Sequence, residues 1–270
     1  MVARRTGAAV RPVFCNGQPA DAASLAAALV NYGHFTSLQV RGHAVQGLGL
    51  HLQRLAIATR SLFGVELDVA QVQRWMAEAL AQAGVADASL RVTVFSAAFD
   101  FRTPRAAVPV DVLVAVSPQV ALTAAGSVRT VRYQRDMAGV KHVGTFGLFA
   151  QRRAAMEAGF DDALFVTADG DVSEGTTWNL AVHDGRQLIW PRAPALRGTA
   201  EALLRAYWEG PQTVRPLSSA ELAGMPAAFA CNASGVWALS AIDGRRLPGS
   251  EAFAEEGRRA LAMAPWDPLR

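Results

Sequence analysis

Residues 162–191 read DALFVTADGDVSEGTTWNLAVHDGRQLIWP, with two Asp-Gly pairs between runs of apolar and β-branched residues. The pairs are Asp169-Gly170 and Asp184-Gly185. An Asp-Gly pair between two such runs favours a tight hairpin turn, because these turns need residues that tolerate positive φ. The stretch therefore predicts three strands joined by two Asp-Gly turns.

The only glutamate of this stretch, Glu174, lies near its middle, three residues after the first Asp-Gly turn. A lone acid in a strand is most often solvated and has no chemical role. The residues that follow, Gly175, Thr176 and Thr177, make its surroundings roomy and rich in hydrogen-bond donors. A functional carboxylate is therefore the alternative interpretation.

The chain contains 26 Lys and Arg residues, and its single lysine is Lys141, in the segment RDMAGVKHVGTFG (residues 135–147). One interpretation is mutational drift towards arginine that left one lysine by chance. The other is chemical, because arginine stays protonated, whereas a lysine amine can become neutral, act as a base or condense with a carbonyl. The choice depends on the rest of the sequence.

The N-terminal half predicts strands near residues 12–20, 34–40, 89–97 and 110–118. Helices are predicted from about Leu52 to Leu62 and in a segment that ends at Gly84. Residues 23–33, ASLAAALVNYG, have a mixed pattern and receive no assignment. Residues 119–127 are small and turn-rich, and are predicted to link a domain of residues 1–118 to one of residues 128–270.

The C-terminal half predicts a strand at 128–134, a helix from about Phe146 to Ala158 and the three-stranded stretch. Helices at 199–210 and 219–225, strands at 214–218, 227–234 and 236–244, and a final helix follow. Strands and helices mix without regular βαβ alternation, so the sequence predicts an α+β fold rather than a doubly wound sheet.

Composition excludes several classes of function. A length of 270 residues with 51% hydrophobic content indicates a folded globular protein. A net charge of +3, with arginines spread along the chain, argues against a nucleic-acid partner. The sequence predicts neither a signal peptide nor a membrane span, hence a cytoplasmic location. Cys15 and Cys231 lie far apart and predict buried free thiols rather than a disulfide or metal site.

Five segments taken together resemble a known family. They are HLQRL (51–55), Lys141, EGTTWN (174–179), LRGTAEALL (196–204) and CNAS (231–234). In this order and spacing, between Asn31 and Gly244, they resemble the class IV aminotransferases, which are fold-type IV pyridoxal-phosphate enzymes. That family includes branched-chain and D-amino-acid aminotransferases and aminodeoxychorismate lyase. The resemblance implies a small α/β domain, a pseudo-barrel α+β domain, a site in the cleft between them and a homodimer.

The resemblance also implies roles for individual residues toward pyridoxal 5'-phosphate. Lys141 would form the Schiff base and carry the proton that moves between the substrate and the cofactor. Glu174 would face the pyridine nitrogen as an ionised carboxylate and keep the ring protonated. The phosphate would be held by Arg54 and by backbone amides near a helix N-terminus. The residues implied there are Gly198, Thr199, Ala200, Asn232 and Ala233.

Three departures from the family pattern bear on the substrate. Ala200 stands where the aminotransferases carry the threonine of Gly-Ile-Thr, and Phe146 stands where branched-chain members have a tyrosine. Phe35-Thr36 is closer to the lyase branch, although the glycine- and arginine-rich substrate loop of that branch is not recognisable. Thr36, Arg102 and Arg105 are candidate substrate-binding residues, with solvated loop arginines as the alternative.

Three hypotheses follow. The leading one is an aminotransferase that acts on an amino acid and a 2-oxo acid through Lys141. The second is a lyase that eliminates pyruvate from aminodeoxychorismate with the same lysine. The third is a binding protein that retains the fold without a cofactor.

Overall fold

A computed structural model of the chain describes residues 12–119, 121–122 and 126–270. The first eleven residues, which belong to the predicted N-terminal domain, lie outside this range. So do residues 120 and 123–125 of the predicted linker. The described residues form two compact units. One unit contains the described residues up to Val45, Leu52–Gln119 and Pro268–Arg270, and the other contains Gln46–His51 and the described residues from 121 up to Asp267.

The described residues form seven helices and sixteen strands. The helices are α1 (Ala22–Ala28), α2 (Leu48–Phe63), α3 (Val69–Ala83), α4 (Phe146–Glu157), α5 (Thr199–Tyr207), α6 (Ser219–Leu222) and α7 (Ser250–Ala262). The strands of the first half are β1 (Val13–Cys15), β2 (Gln18–Pro19), β3 (His34–Val40), β4 (Ala44–Gln46), β5 (Ala88–Phe95) and β6 (Asp111–Ser117). Those of the second half are β7 (Gly126–Arg132), β8 (Asp162–Val166), β9 (Val172–Gly175), β10 (Asn179–His183), β11 (Leu188–Pro191), β12 (Gln212–Arg215), β13 (Ala227–Asn232), β14 (Gly235–Ile242), β15 (Arg245–Arg246) and β16 (Trp266–Pro268).

The first unit is built on an antiparallel sheet with strand order β2-β1-β6-β5-β3. Alternate residues of its central strands, such as Leu90, Val92 and Val94, are completely buried. Helix α3 packs on β5 and β6. Its ends follow from the sequence, because Asp68 accepts a hydrogen bond from the Gln71 amide and Gly84 adopts the left-handed conformation that stops the helix.

The second unit contains a mixed sheet with order β12-β11-β10-β13-β14-β7-β8-β9, to which β15 adds beside β14. Three of its neighbouring pairs, β11–β12, β14–β7 and β7–β8, are parallel, and the other described pairs are antiparallel. Helices α5 and α7 pack on β13, and α4 packs on β7 and β8. Glu174, near the end of β9, and Lys141, in the loop after β7, therefore belong to the same unit.

The structure corrects two predictions about local structure. Residues 162–191 form four strands rather than three, because a turn at Gly175–Trp178 separates β9 from β10. Residues 23–28, part of the stretch that received no assignment, lie in α1, where Asp21 and Ser24 make a reciprocal capping box. Helices α2, α3 and α4 lie where they were predicted.

The structure also bears on the cysteines and on membrane insertion. Both cysteines are free thiols, but only Cys231 is buried, because Cys15 on the short strand β1 is half-exposed. No helix in the described part of the chain is both long enough and apolar enough to cross a membrane. Those same residues contain no cluster of three or more His, Cys, Asp and Glu side chains suited to a metal ion.

His34 should make the stability of the protein depend on pH. The ring is 0% exposed and its Nε2 atom lies 2.9 Å from the Thr59 hydroxyl oxygen. Burial lowers the pKa of His34 from 6.5 to about 4. Between these values the unfolded chain binds a proton that the folded chain does not, so the free energy of unfolding rises with pH by about 3 kcal/mol in total.

Urea unfolding between pH 4 and 7.5 tests this, with His34→Gln as the variant that does not titrate. The free energy of unfolding of the wild type should fall relative to that of the variant as pH drops below 6.5. The exposed His43→Gln is the matched control and should follow the wild type. A constant difference between wild type and His34→Gln would show that His34 does not contribute.

Candidate active site

Glu174 is a buried acid at the end of β9. The residue is 5% exposed, and its Oε1 atom has no hydrogen-bond partner in the described part of the chain. Burial raises the pKa of Glu174 from 4.5 to about 7. Four groups act in the opposite direction and favour the ionised form, namely the side chains of Arg135, Lys141 and Arg197 and a backbone hydrogen bond at Leu196. Glu174 is therefore poised to hold or release a proton near neutral pH.

The chain turns sharply after Glu174, and this turn aims the end of β9. The Gly175 amide donates to the Trp178 carbonyl at 2.9 Å. A Cβ atom at Gly175 would overlap the Trp178 indole, so only glycine allows the ring to lie over the turn. Asp162 fixes the same turn by accepting hydrogen bonds from the Thr176 hydroxyl at 2.8 Å and from the Trp178 indole N–H at 3.1 Å.

Lys141 lies in the loop between β7 and α4 and is half-buried. The loop contains a tight turn in which the Val140 amide donates to the Met137 carbonyl at 2.7 Å. The Arg135 guanidinium donates from Nη2 to the Val140 carbonyl at 2.8 Å and so holds the peptide that precedes the lysine. The ammonium of Lys141 is close enough to favour ionisation of Glu174. The fold therefore brings these two predicted residues together within the second unit.

The predicted phosphate-binding residues at 198–200 begin helix α5. Gly198 is the N-cap, and Thr199 and Ala200 are buried in the first turn. A Cβ atom at Gly198 would overlap the side-chain oxygen of Asn179, whose amide donates to the Leu196 carbonyl at 2.8 Å. The glycine is needed for this close packing. The first backbone N–H groups of a helix have no partner within the helix and attract anions.

Two charged residues flank this helix start and were not singled out in the sequence. Arg197 donates from Nη1 to Glu201 Oε1 at 3.0 Å, and from Nη2 to the carbonyls of Pro191 and Ala193, each at 3.0 Å. Glu201 is 1% exposed, and its second oxygen has no hydrogen-bond partner among the described residues. The pair ties the first turn of α5 to the loop after β11.

Asn232 and Ala233 lie at the turn between β13 and β14. The Asn232 side-chain amide donates to the Thr177 carbonyl at 3.3 Å, and its oxygen accepts from the Ser234 amide at 2.8 Å. This links the β13–β14 turn to the turn after Glu174. Both Asn232 and Ala233 are half-buried.

The other predicted site residues belong to the first unit. Arg54 is half-buried in α2, and Thr36 is buried on β3. Arg102 and Arg105 lie in an exposed loop, where Arg102 is 3.8 Å from Asp100 and stacks on the ring of Phe101. The roles of these four residues stay predictions.

Sequence reasoning missed Arg135, Arg197, Glu201, Asn179 and Asp162. The one local signal was the i,i+4 spacing of Arg197 and Glu201, which suits an ion pair at a helix start. Arg135 and Asp162 act through contacts that the sheet creates, so no local pattern marks them.

These residues fit a phosphorylated, nitrogen-containing aromatic cofactor. The unpartnered, buried Oε1 atom of Glu174 is suited to accept a hydrogen bond from a protonated ring nitrogen. The amides at the start of α5 suit a phosphate, and Lys141 supplies an amine in the same unit. A carboxylate, helix-start amides and a lysine amine are the groups that the sequence resemblance implies for pyridoxal 5'-phosphate.

Comparison with known proteins identifies the family. The sequence profile of the family described as "Amino-transferase class IV" matches residues 33–242. A search of curated protein sequences gives no match.

Solved structures share the fold over nearly the whole chain. The branched-chain amino acid aminotransferase of Escherichia coli has a TM-score of 0.85 at 16% identity and covers 96% of this chain and 99% of that chain. A hypothetical aminotransferase from Mycobacterium tuberculosis in its PLP-bound form has a TM-score of 0.78 at 24% identity, and the match covers 93% of this chain and 97% of that chain. A putative 4-amino-4-deoxychorismate lyase from Legionella pneumophila has a TM-score of 0.78 at 17% identity, and the match covers 87% of this chain and 92% of that chain. The predicted α+β fold of fold type IV is confirmed.

Glu174→Gln should change how the stability of the cofactor-free protein depends on pH. The carboxyl titrates at about 7 in the folded chain, against an ordinary pKa of 4.5. Between these values the folded state keeps a proton that the unfolded state has released, so stability falls as pH rises. The loss is about 3 kcal/mol across the window and is absent when residue 174 is glutamine.

Urea unfolding of both proteins at pH 5 and pH 8 measures the effect. The free energy of unfolding of the wild type should fall relative to that of the variant as pH rises. A difference that is the same at both pH values would mean that the carboxyl does not titrate in this range.

Proposed function

Because the chain belongs to the class IV aminotransferase family, we propose that it is a pyridoxal-phosphate-dependent aminotransferase that moves an amino group between an amino acid and a 2-oxo acid. The observation that carries this proposal is the buried Glu174 carboxyl, with one oxygen unpartnered among the described residues, close to the only lysine of the chain. When bound, pyridoxal 5'-phosphate supplies an electrophilic carbonyl and a ring that accepts electrons.

Lys141 would supply the amine that reacts with the carbonyl of the cofactor and the group that moves the proton. Its amine is the one side-chain amine in the sequence, and a guanidinium cannot replace it in either role. The hydrogen bond from Arg135 to the Val140 carbonyl holds the backbone just before it, so that the side chain starts from a fixed point. A fixed starting point favours proton transfer to and from one atom of the substrate.

Glu174 would set the charge on the cofactor ring. Its pKa near 7 means that the carboxyl could share one proton with a ring nitrogen at neutral pH. The nearby guanidinium of Arg135 favours the ionised carboxylate, and thus a proton on the ring nitrogen. A protonated ring draws electrons from the substrate more strongly.

The phosphate would be held by the amides of Thr199 and Ala200 beyond Gly198, and the sequence resemblance adds Asn232, Ala233 and the cation Arg54 to this role. The start of α5 supports this, because its first amides have no partner within the helix. Thr36, Arg102 and Arg105 remain the proposed substrate residues. The proposed substrates are an amino acid and a 2-oxo acid, and the proposed active form is a cytoplasmic homodimer.

A lyase acting on aminodeoxychorismate is the second candidate. It is favoured by Phe35-Thr36, which is closer to the lyase branch of the family, whereas Phe146, which supplies no phenol at the start of α4, argues against a branched-chain enzyme. The fold likeness to the putative Legionella lyase is compatible with either activity.

The first test of the cofactor assignment is chemical labelling. After incubation with pyridoxal 5'-phosphate and reduction with borohydride, peptide mapping by mass spectrometry should place a pyridoxyl group on Lys141. Lys141→Arg should give no side-chain label while keeping the melting temperature within a few degrees, because arginine preserves charge and length. A label confined to the N-terminal amine, or none, would exclude the assignment.

A second test separates transfer from elimination. Each amino donor is mixed with the holoenzyme in the absence of an acceptor, and the absorbance of the bound cofactor is followed in a single turnover. An aminotransferase should convert its cofactor once and turn over again only when a 2-oxo acid is added. Continuous release of pyruvate from aminodeoxychorismate without an acceptor would favour the lyase instead.

A further inference from the structure

Arg135 is a buried cation that enters the proposed chemistry only through its effects on Glu174 and on the peptide before Lys141. The residue follows β7 and is 6% exposed. Its Nη2 atom donates to the Val140 carbonyl at 2.8 Å, while its Nε atom is buried without a hydrogen-bond partner in the described part of the chain. A guanidinium keeps its proton even when burial lowers its pKa, as burial does here.

A buried charge is costly unless an opposite charge compensates for it. Glu174 is the carboxyl that acts on Arg135, and Arg135 is in turn the strongest charged influence on Glu174. The other charged groups facing Glu174 are Lys141 and Arg197. Around Arg135 the remaining titratable groups are the Tyr133 phenol and the His142 ring.

We propose that Arg135 is a positioning residue whose guanidinium favours the ionised form of the buried Glu174 carboxyl and, through its hydrogen bond to the Val140 carbonyl, fixes the peptide that carries Lys141. The Arg135 side chain thus influences both the protonation of Glu174 and the position of the backbone from which the Lys141 side chain extends. The relevance of this coupling to catalysis rests on the proposed function, but the coupling itself does not.

Arginine suits this role better than lysine does. A planar guanidinium can donate to the Val140 carbonyl from one nitrogen while the rest of its delocalised charge faces the carboxyl. A lysine at position 135 would keep the charge but offer a single ammonium centre. Replacement by glutamine would remove the charge and leave the Glu174 carboxyl buried beside two cations instead of three.

The decisive experiment is a carbon-13 NMR titration of the Glu174 side-chain carboxyl in the full-length chain without cofactor. Glutamate labelled at the carboxyl carbon identifies the signal, which is assigned by its loss in Glu174→Gln. In Arg135→Gln the pKa of Glu174 should rise by about one unit or more. In Arg135→Lys the rise should be smaller, because the charge remains.

Arg132→Gln is the matched control. Arg132 lies three residues earlier, is exposed, and also donates to a backbone carbonyl, that of Ala168 at 3.2 Å. Its loss should leave the titration of Glu174 unchanged. Hydrogen–deuterium exchange provides a second readout, and exchange in residues 137–141 should become severalfold faster in both Arg135 variants but not in Arg132→Gln.

An unchanged Glu174 pKa in Arg135→Gln would overturn the proposal. If that variant does not fold, Arg135→Lys decides by exchange, and exchange equal to that of the wild type would overturn the proposal as well. Labelling with pyridoxal phosphate tests the proposed function separately from the coupling between Arg135 and Glu174. A wild type that takes no label on Lys141 refutes the proposed function and leaves the titration result standing.

Discussion

The burial of one carboxyl group is the constraint on which the rest of the candidate site depends. Glu174 lies at the end of a strand where water does not reach it, and such a group ionises only if positive charges are near. The fold supplies them from three separate positions, through Arg135, Lys141 and Arg197. The result is a carboxyl that titrates at about 7 rather than a permanent anion or a permanent acid.

The position of Glu174 also depends on the backbone geometry of the turn that follows it. Gly175 allows the Trp178 ring to cover the turn, and Asp162 on the neighbouring strand β8 accepts hydrogen bonds from two residues of that turn. The turn ends β9 directly after Glu174 and redirects the chain to β10, which pairs with β11 and β13. If β9 and β10 formed one continuous strand, Glu174 would lie inside it. The Thr177 carbonyl would then not lie in a turn where it accepts a hydrogen bond from the Asn232 side-chain amide.

Charge around the start of α5 is balanced in a related way. An acid in the first turn of a helix is favourable to the helix but opposes a phosphate that binds to the same amides. Glu201 occupies that turn, and its charge is paired with Arg197 at 3.0 Å. The pairing leaves the amides of the first turn as the groups that offer positive potential to an anion. Arg197 also favours ionisation of Glu174, so it connects the two ends of the site electrostatically.

The sequence by itself determined the α+β class and most element positions, through local signals such as strand alternation, Asp-Gly turns and a glycine helix stop. Its resemblance to a family, carried by ordered short motifs, pointed to Lys141, Glu174 and Gly198 as candidate residues. The separation of β9 from β10 was decided by tertiary structure, because Asp162 and Trp178 meet only when β8 lies beside the turn. The roles of Arg135 and Arg197 were decided in the same way. Their charges matter through burial and through a carboxyl distant in sequence, and electrostatic interactions of this kind exist only once the sheet has brought the segments together and excluded water.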